Sequence, residues 1–166
     1  MADADVLFAE HQQRVFRYLW RVVGQADAAR DLTQEVFLRV SRAGAPAGGA
    51  DARRAWVFTI ARNLALNHLR DRGRRPETTA IVDDRTLPPT QELRLALMRA
   101  LESLSELDRD VFLLRESGGL SYTEVATACD LSPDAVRSRL HRARQQLREA
   151  LRGPLADRRA GGIRFG

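Results

Sequence analysis

Lysine is absent from this 166-residue chain, so all 27 basic residues are arginine. A GC-rich coding sequence produces that uniformity, which makes arginine content alone weak evidence for phosphate binding. Cysteine occurs once, at Cys129; no internal disulfide can form, and no Cys/His cluster has metal-ligand spacing. Aromatic residues make up 6% of the chain while 44% is apolar, a balance of a globular helical protein rather than a disordered one. No apolar run approaches the roughly 18 residues a membrane-spanning helix needs. The opening MADADVLFAEHQQRVFRYLW is acidic and then amphipathic, without the order of a secretory signal. Membrane insertion is therefore not expected, and the expected compartment is the reducing cytoplasm. His11, His68 and His141 fall in separate segments with no metal-spaced acidic pair near them. The chain is accordingly expected not to be an enzyme, with no catalytic residue, metal or cofactor.

The net charge of +5 is unevenly spread: residues 1–75 and 92–166 are basic, whereas 76–91 carries three acids against one arginine. Such asymmetry favours nucleic acid or another acidic partner over a small-molecule site. Helical spacing of apolar residues covers 5–23 (Val6, Phe8, Val15, Leu19, Val22, Val23), ending at Gly24, and 27–41, with Asp27 as the expected N-cap. A Gly/Pro/Ala loop follows, then a helix over 53–72 with Val57, Ile60, Ala61 and Leu64 on one face. The stretch PETTAIVDDRTLPPTQ, residues 76–91, has three prolines and no periodicity and reads as a flexible linker. Helices are expected again over 91–104, 106–117, 121–129 and 133–151, with a frayed tail over 153–166. No segment alternates like a strand. The fold class is all-α, as two small helical domains, 1–75 and 92–152, joined by the linker.

Ser121 with Glu124 three positions later forms a capping box, and Ser132 before Pro133 is an N-cap followed by proline at the first helical position. The connection between these two helix starts, around Cys129 to Leu131, has the length of a helix-turn-helix, and Asp130 suits a left-handed turn. In the second helix Val136, Leu140, Ala143, Leu147 and Leu151 share one sector. Arg137, Ser138, His141 and Arg142 lie outside it. Arginine can grip phosphates or guanine edges, and Ser and His can hydrogen-bond bases, so this is the mixture a major-groove helix needs. A solvated helix in an arginine-biased chain has a similar face. The capped helix before it, the short turn and the apolar 106–117 segment favour DNA reading.

Asp31, Gln34 and Glu35 form a polar face beside the apolar one of the second helix, suited to a basic protein partner or simply to solvent. Asn63, Asn67, Arg70 and Arg74 follow a 4, 3, 4 spacing and make one stripe on the third helix. Asparagine offers donor and acceptor to a base edge and arginine supplies phosphate charge. With Trp56 this stripe could hold unstacked single-stranded bases, or Trp56 is core and the asparagines are ordinary surface.

Three segments in this order, DLTQEVFLRV, AWVFTIARNLALNHLRDRGRR and LSYTEVATACDLSPDAVRSRLHRARQQLRE, resemble regions 2.2, 2.3 to 2.4, and 4.2 of the extracytoplasmic-function sigma factors of bacteria. The resemblance covers roughly residues 5–152. It implies that Asp31, Gln34 and Glu35 bind the clamp helices of the beta-prime subunit of core RNA polymerase, with region 4 meeting the beta flap. It implies that the loop from Ser41 to about Arg53, with Asn63, Asn67, Arg70, Arg74 and Trp56, captures melted −10 bases. Arg137, Ser138, His141 and Arg142 would read the −35 element as duplex. The linker would run through the polymerase, as a nucleic-acid mimic or an inert tether, and an anti-sigma factor is an expected partner. One departure stands out: many members carry an aromatic just before the Arg and Trp that open the third helix, where this chain has Ala52, Arg53, Arg54 and Ala55 before Trp56. The competing reading is a helix-turn-helix repressor or activator that binds operator duplex without polymerase.

Overall fold

The computed structural model describes residues 2–73 and 89–161. They form seven helices: α1 (Ala2–Val23), α2 (Ala26–Ala43), α3 (Ala50–Gly73), α4 (Pro89–Glu102), α5 (Glu106–Glu116), α6 (Tyr122–Cys129) and α7 (Pro133–Gly161). No strand occurs among the described residues, so the all-α expectation holds. Residues 74–88, most of the expected linker and Arg74 with it, lie outside the described residues.

Several boundaries differ from the sequence reading for local reasons. Helix α2 begins at Ala26, because Gly24 adopts a left-handed φ of 78° and makes the turn early, placing Gln25 at the N-cap without a side-chain bond. Asp27 instead sits in the first turn, where a carboxylate favours the helix dipole, and pairs with Arg30 at 2.7 Å. Pro89 occupies the first position of α4, a place where its missing N–H costs nothing, so the last residues assigned to the linker are helical. A frayed tail is expected over 153–166, yet α7 continues past 151 and through Gly153 and Pro154 to Gly161. Proline's fixed φ is itself helical, although an interior proline forfeits one main-chain bond and crowds the carbonyl four residues back, at about 3 kcal/mol.

Helices α1, α2 and α3 pack mutually as one bundle, and α5, α6 and α7 as another with α4 against α7. The bundles are joined through α3 on α6 and α1 on α5, and their buried side chains form one continuous cluster. Phe58 lies at this joint. It is fully buried, meets the Tyr18 ring edge-on with centroids 5.9 Å apart, and abuts the turn after α5. Burial of such a ring stabilises by about 2–3 kcal/mol. Gly118 is required there, since a Cβ would fall 2.6 Å from the Leu114 carbonyl oxygen and 2.9 Å from the Phe58 ring. Two ion pairs flank the ring, Arg62 to Asp110 at 3.0 Å and Arg54 to Glu124 at 2.9 Å.

Candidate nucleic-acid interface

The helix-turn-helix is built by its caps. Ser121 Oγ accepts the Glu124 N–H at 3.2 Å, and the Glu124 carboxylate accepts the Ser121 N–H at 3.3 Å, completing the capping box. Asp130 closes α6 in the left-handed conformation, φ 54° and ψ 50°, and the Leu131 N–H bonds back to the Ala126 carbonyl at 2.9 Å. Ser132 Oγ accepts the Ala135 N–H at 3.1 Å, so α7 starts at Pro133 as its sequence directs. Cys129 is buried in the last turn of α6, and burial pushes its thiol up to about 11, which leaves it protonated and unreactive near neutral pH.

Along α7, Val136, Leu140, Ala143 and Leu147 are buried and Leu151 is half-buried, while Arg137, Ser138, His141 and Arg142 are all exposed. The arginines of α7 are more engaged than the sequence shows. Arg137 pairs with Asp134 at 2.8 Å and lies 5.9 Å from the centre of the Tyr122 ring, which Arg115 also covers at 5.2 Å. Arg144 pairs with Glu116 at 2.8 Å; hydrogen bonds to Glu116 and Tyr122 raise its already high pKa. Arg139 and Arg142 converge on one buried carboxylate, Asp108 of α5, at 2.8 and 3.2 Å. Arg137–Asp134 is a local pair, but no local pattern announces those of Arg139, Arg142 and Arg144, whose partners lie 28 to 34 residues away.

On α3, Asn63, Asn67 and Arg70 are exposed and, among the described residues, have no side-chain partner. Trp56 is half-buried and packs against the core. On α2, Asp31 and Gln34 are exposed, and Glu35 is half-buried and pairs with Arg39 at 2.8 Å. Exposed apolar residues also occur on this helix and on α1. Val6, Phe8 and Leu38 are 52, 43 and 44% exposed, and Phe8 meets Phe37 edge-on at 5.0 Å. Val6 and Phe8, counted in the helical apolar spacing of α1, thus lie off its buried face. The buried stripe of α1 runs through Leu7, His11, Val15, Tyr18 and Leu19, and they flank it. Among the described residues no cluster of three or more His, Cys, Asp or Glu could hold a metal ion, and no helix is long and apolar enough to cross a membrane.

Two family models match the chain, Sigma-70 region 2 over residues 7–75 and Sigma-70 region 4 over residues 94–147. The RNA polymerase sigma-H factor of Pseudomonas aeruginosa is 32% identical over 170 residues, spanning 92% of this chain and 88% of its own length. The ECF RNA polymerase sigma-E factor of Escherichia coli is 33% identical over 160 residues, spanning 86 and 83%. This chain belongs to the extracytoplasmic-function sigma factors. Among solved structures, the sigma factor RpoE of Bartonella quintana, crystallised with the anti-sigma factor NepR, superimposes with a TM-score of 0.70 at 25% identity, covering 92% of this chain and 98% of that one. For a sigma factor of this branch, the α3 stripe falls within region 2 and α7 supplies the exposed helix of region 4.

Proposed function

We propose that this sigma factor binds core RNA polymerase in the cytoplasm and directs promoter-specific initiation through three surfaces, each from the residues named above. Region 2 occupies roughly residues 1–75 and region 4 residues 92–152. Arg137, Ser138, His141 and Arg142 read the −35 element in the major groove. Asn63, Asn67 and Arg70, with Arg74 and Trp56, hold melted bases of the −10 element. Asp31, Gln34 and Glu35 dock on the polymerase together with exposed Phe8, which lines a groove with Gln34, and Leu38, one turn further along α2, since acidic and apolar groups side by side suit a basic protein surface. The observation that carries this reading is the pairing of a capped helix-turn-helix with a second feature on the same chain, the exposed Asn63, Asn67 and Arg70, which have no side-chain partner among the described residues. A duplex-binding repressor has no use for that stripe.

No covalent chemistry is needed and no enzyme activity is assigned. Capturing a flipped base offsets a few kcal/mol of unstacking and unpairing, which favours the melted promoter. The relative from Bartonella is held by an anti-sigma factor, and the exposed apolar face between α1 and α2 offers a similar partner a surface here. The test adds the purified protein to core polymerase free of any sigma factor, on a genomic promoter library. Transcripts starting a fixed distance downstream of a shared two-part motif are expected. Tight binding of the protein alone to a palindromic duplex, with no polymerase-dependent transcript, would replace this reading with the repressor.

A further inference from the structure

We propose that Asp108 is a specificity-determining positioning residue, which holds Arg142 so that it reads a base of the −35 element rather than a phosphate. This rests on the sigma reading of α7. Asp108 is 4% exposed and fixed in the first turn of α5, where its N–H donates to Ser105 Oγ at 3.2 Å. Its Oδ1 accepts Arg139 Nη1 at 2.8 Å, and its Oδ2 lies 3.2 Å from Arg142 Nε. Arg139 is half-buried and acts as the inner anchor, whereas Arg142 is exposed. Engagement through Nε leaves both Nη groups of Arg142 available, the end-on pair that grips a guanine edge bidentately. A guanidinium already held in place loses less rotamer freedom on binding.

The carboxylate also sets the sign of what Arg142 prefers. One negative charge between two guanidiniums halves their combined charge, which weakens their attraction for phosphate and so lowers backbone contacts relative to base contacts. Among the four proposed −35 readers, only Arg142 is held this way. Arg137 is paired with Asp134, an exposed residue one turn away on its own helix, and such a pair breaks readily in water.

The test compares holoenzymes carrying the unaltered chain, Asp108→Asn, Arg142→Ala and both changes, on promoters varied at each −35 base pair. Asp108→Asn is expected to lower discrimination about tenfold at a single position, the position also lost in Arg142→Ala. Non-specific duplex binding should strengthen, with log K against log salt steeper by about one. In the Arg142→Ala background, Asp108→Asn should change no positional preference. Should Asp108→Asn fail to fold, Arg142→Lys carries the test, because lysine has no Nε and Nη groups to divide between partners. It is expected to lose the same preference while the Arg139 pair persists. A uniform loss across all promoters, full discrimination in Arg142→Lys, or a positional change that survives Arg142→Ala would overturn the proposal. Failure of the unaltered chain to give polymerase-dependent transcripts would instead overturn the sigma reading and this inference with it.

Discussion

Among its described residues the α1–α3 bundle buries the polar groups of His11, Thr33 and Tyr18 but no carboxylate, whereas the α4–α7 half buries three carboxylates, Asp108, Asp110 and Glu124. Thr33 is satisfied within its own helix, its hydroxyl donating to the Ala29 carbonyl at 2.7 Å. Of the carboxylates, Asp108 finds its arginines within its own half, but Asp110 and Glu124 are answered by Arg62 and Arg54 of α3. The second half thus carries charges whose compensation comes from the first. An apolar joint holds by exclusion of water, while a joint of ion pairs returns hydration to both partners when it parts. This joint combines one apolar anchor, Phe58, with two ion pairs, and the difference between the halves can be tested by removing each in turn.

The largest effect is expected from Phe58→Ala, which empties a fully buried ring site touched from both halves. Truncation of a core phenylalanine costs about 3–5 kcal/mol, read as a lower urea midpoint. If the two halves then unfold in separate transitions, the ring is what makes them cooperative. A loss below about 1 kcal/mol would show that the joint contributes little.

Arg62→Ala comes next and isolates the polar part. Burial pushes the Asp110 carboxyl above its ordinary value, against the opposing pull of Arg62. A folded-state value raised above the unfolded one means that this carboxyl's contribution to stability is full below about pH 4 and declines as pH rises through the folded value. Removing Arg62 takes away the main opposing charge and raises the folded value further, so the decline extends to higher pH. Arg62→Ala should therefore cost on the order of 3 kcal/mol near pH 7 and clearly less near pH 4. Unfolding curves at both pH values decide it, and a cost independent of pH would mean that Asp110 is not left charged and buried.

The same comparison explains what the sequence reveals. Helix positions, the capping box, the left-handed Asp130 and the buried face of α7 are local, and each is legible from neighbours three or four residues apart. The joint is not. Periodicity assigns Val57, Ile60, Ala61 and Leu64 to one face of α3, yet Phe58, which faces the second half, is more deeply buried than Ile60. A helix packed on two sides loses the contrast on which a periodicity argument depends. The burial of the three carboxylates is not visible locally, because the arginines that permit it lie 31 to 70 residues away. The candidate DNA-facing residues were legible through motif resemblance, whereas the hold of Asp108 on Arg142 needed the fold.

The smallest expected effect has the opposite sign. Tyr18 is fully buried in the α1–α3 half, its hydroxyl has no hydrogen-bond partner among the described residues, and burial first, then the nearby Asp110, raises its pKa well above the ordinary value. A phenol hydroxyl left orphaned in a buried site costs free energy that phenylalanine avoids, while the edge-on contact with Phe58 is kept. Tyr18→Phe is therefore expected to raise stability by about 1 kcal/mol, measured by urea unfolding near neutral pH. A loss of stability would mean that the hydroxyl is bonded through water at the joint. The first half would then share in hydrating the buried carboxylates of the second, and the contrast between a dry bundle and a charged one would shrink to a difference in which side chains reach the water.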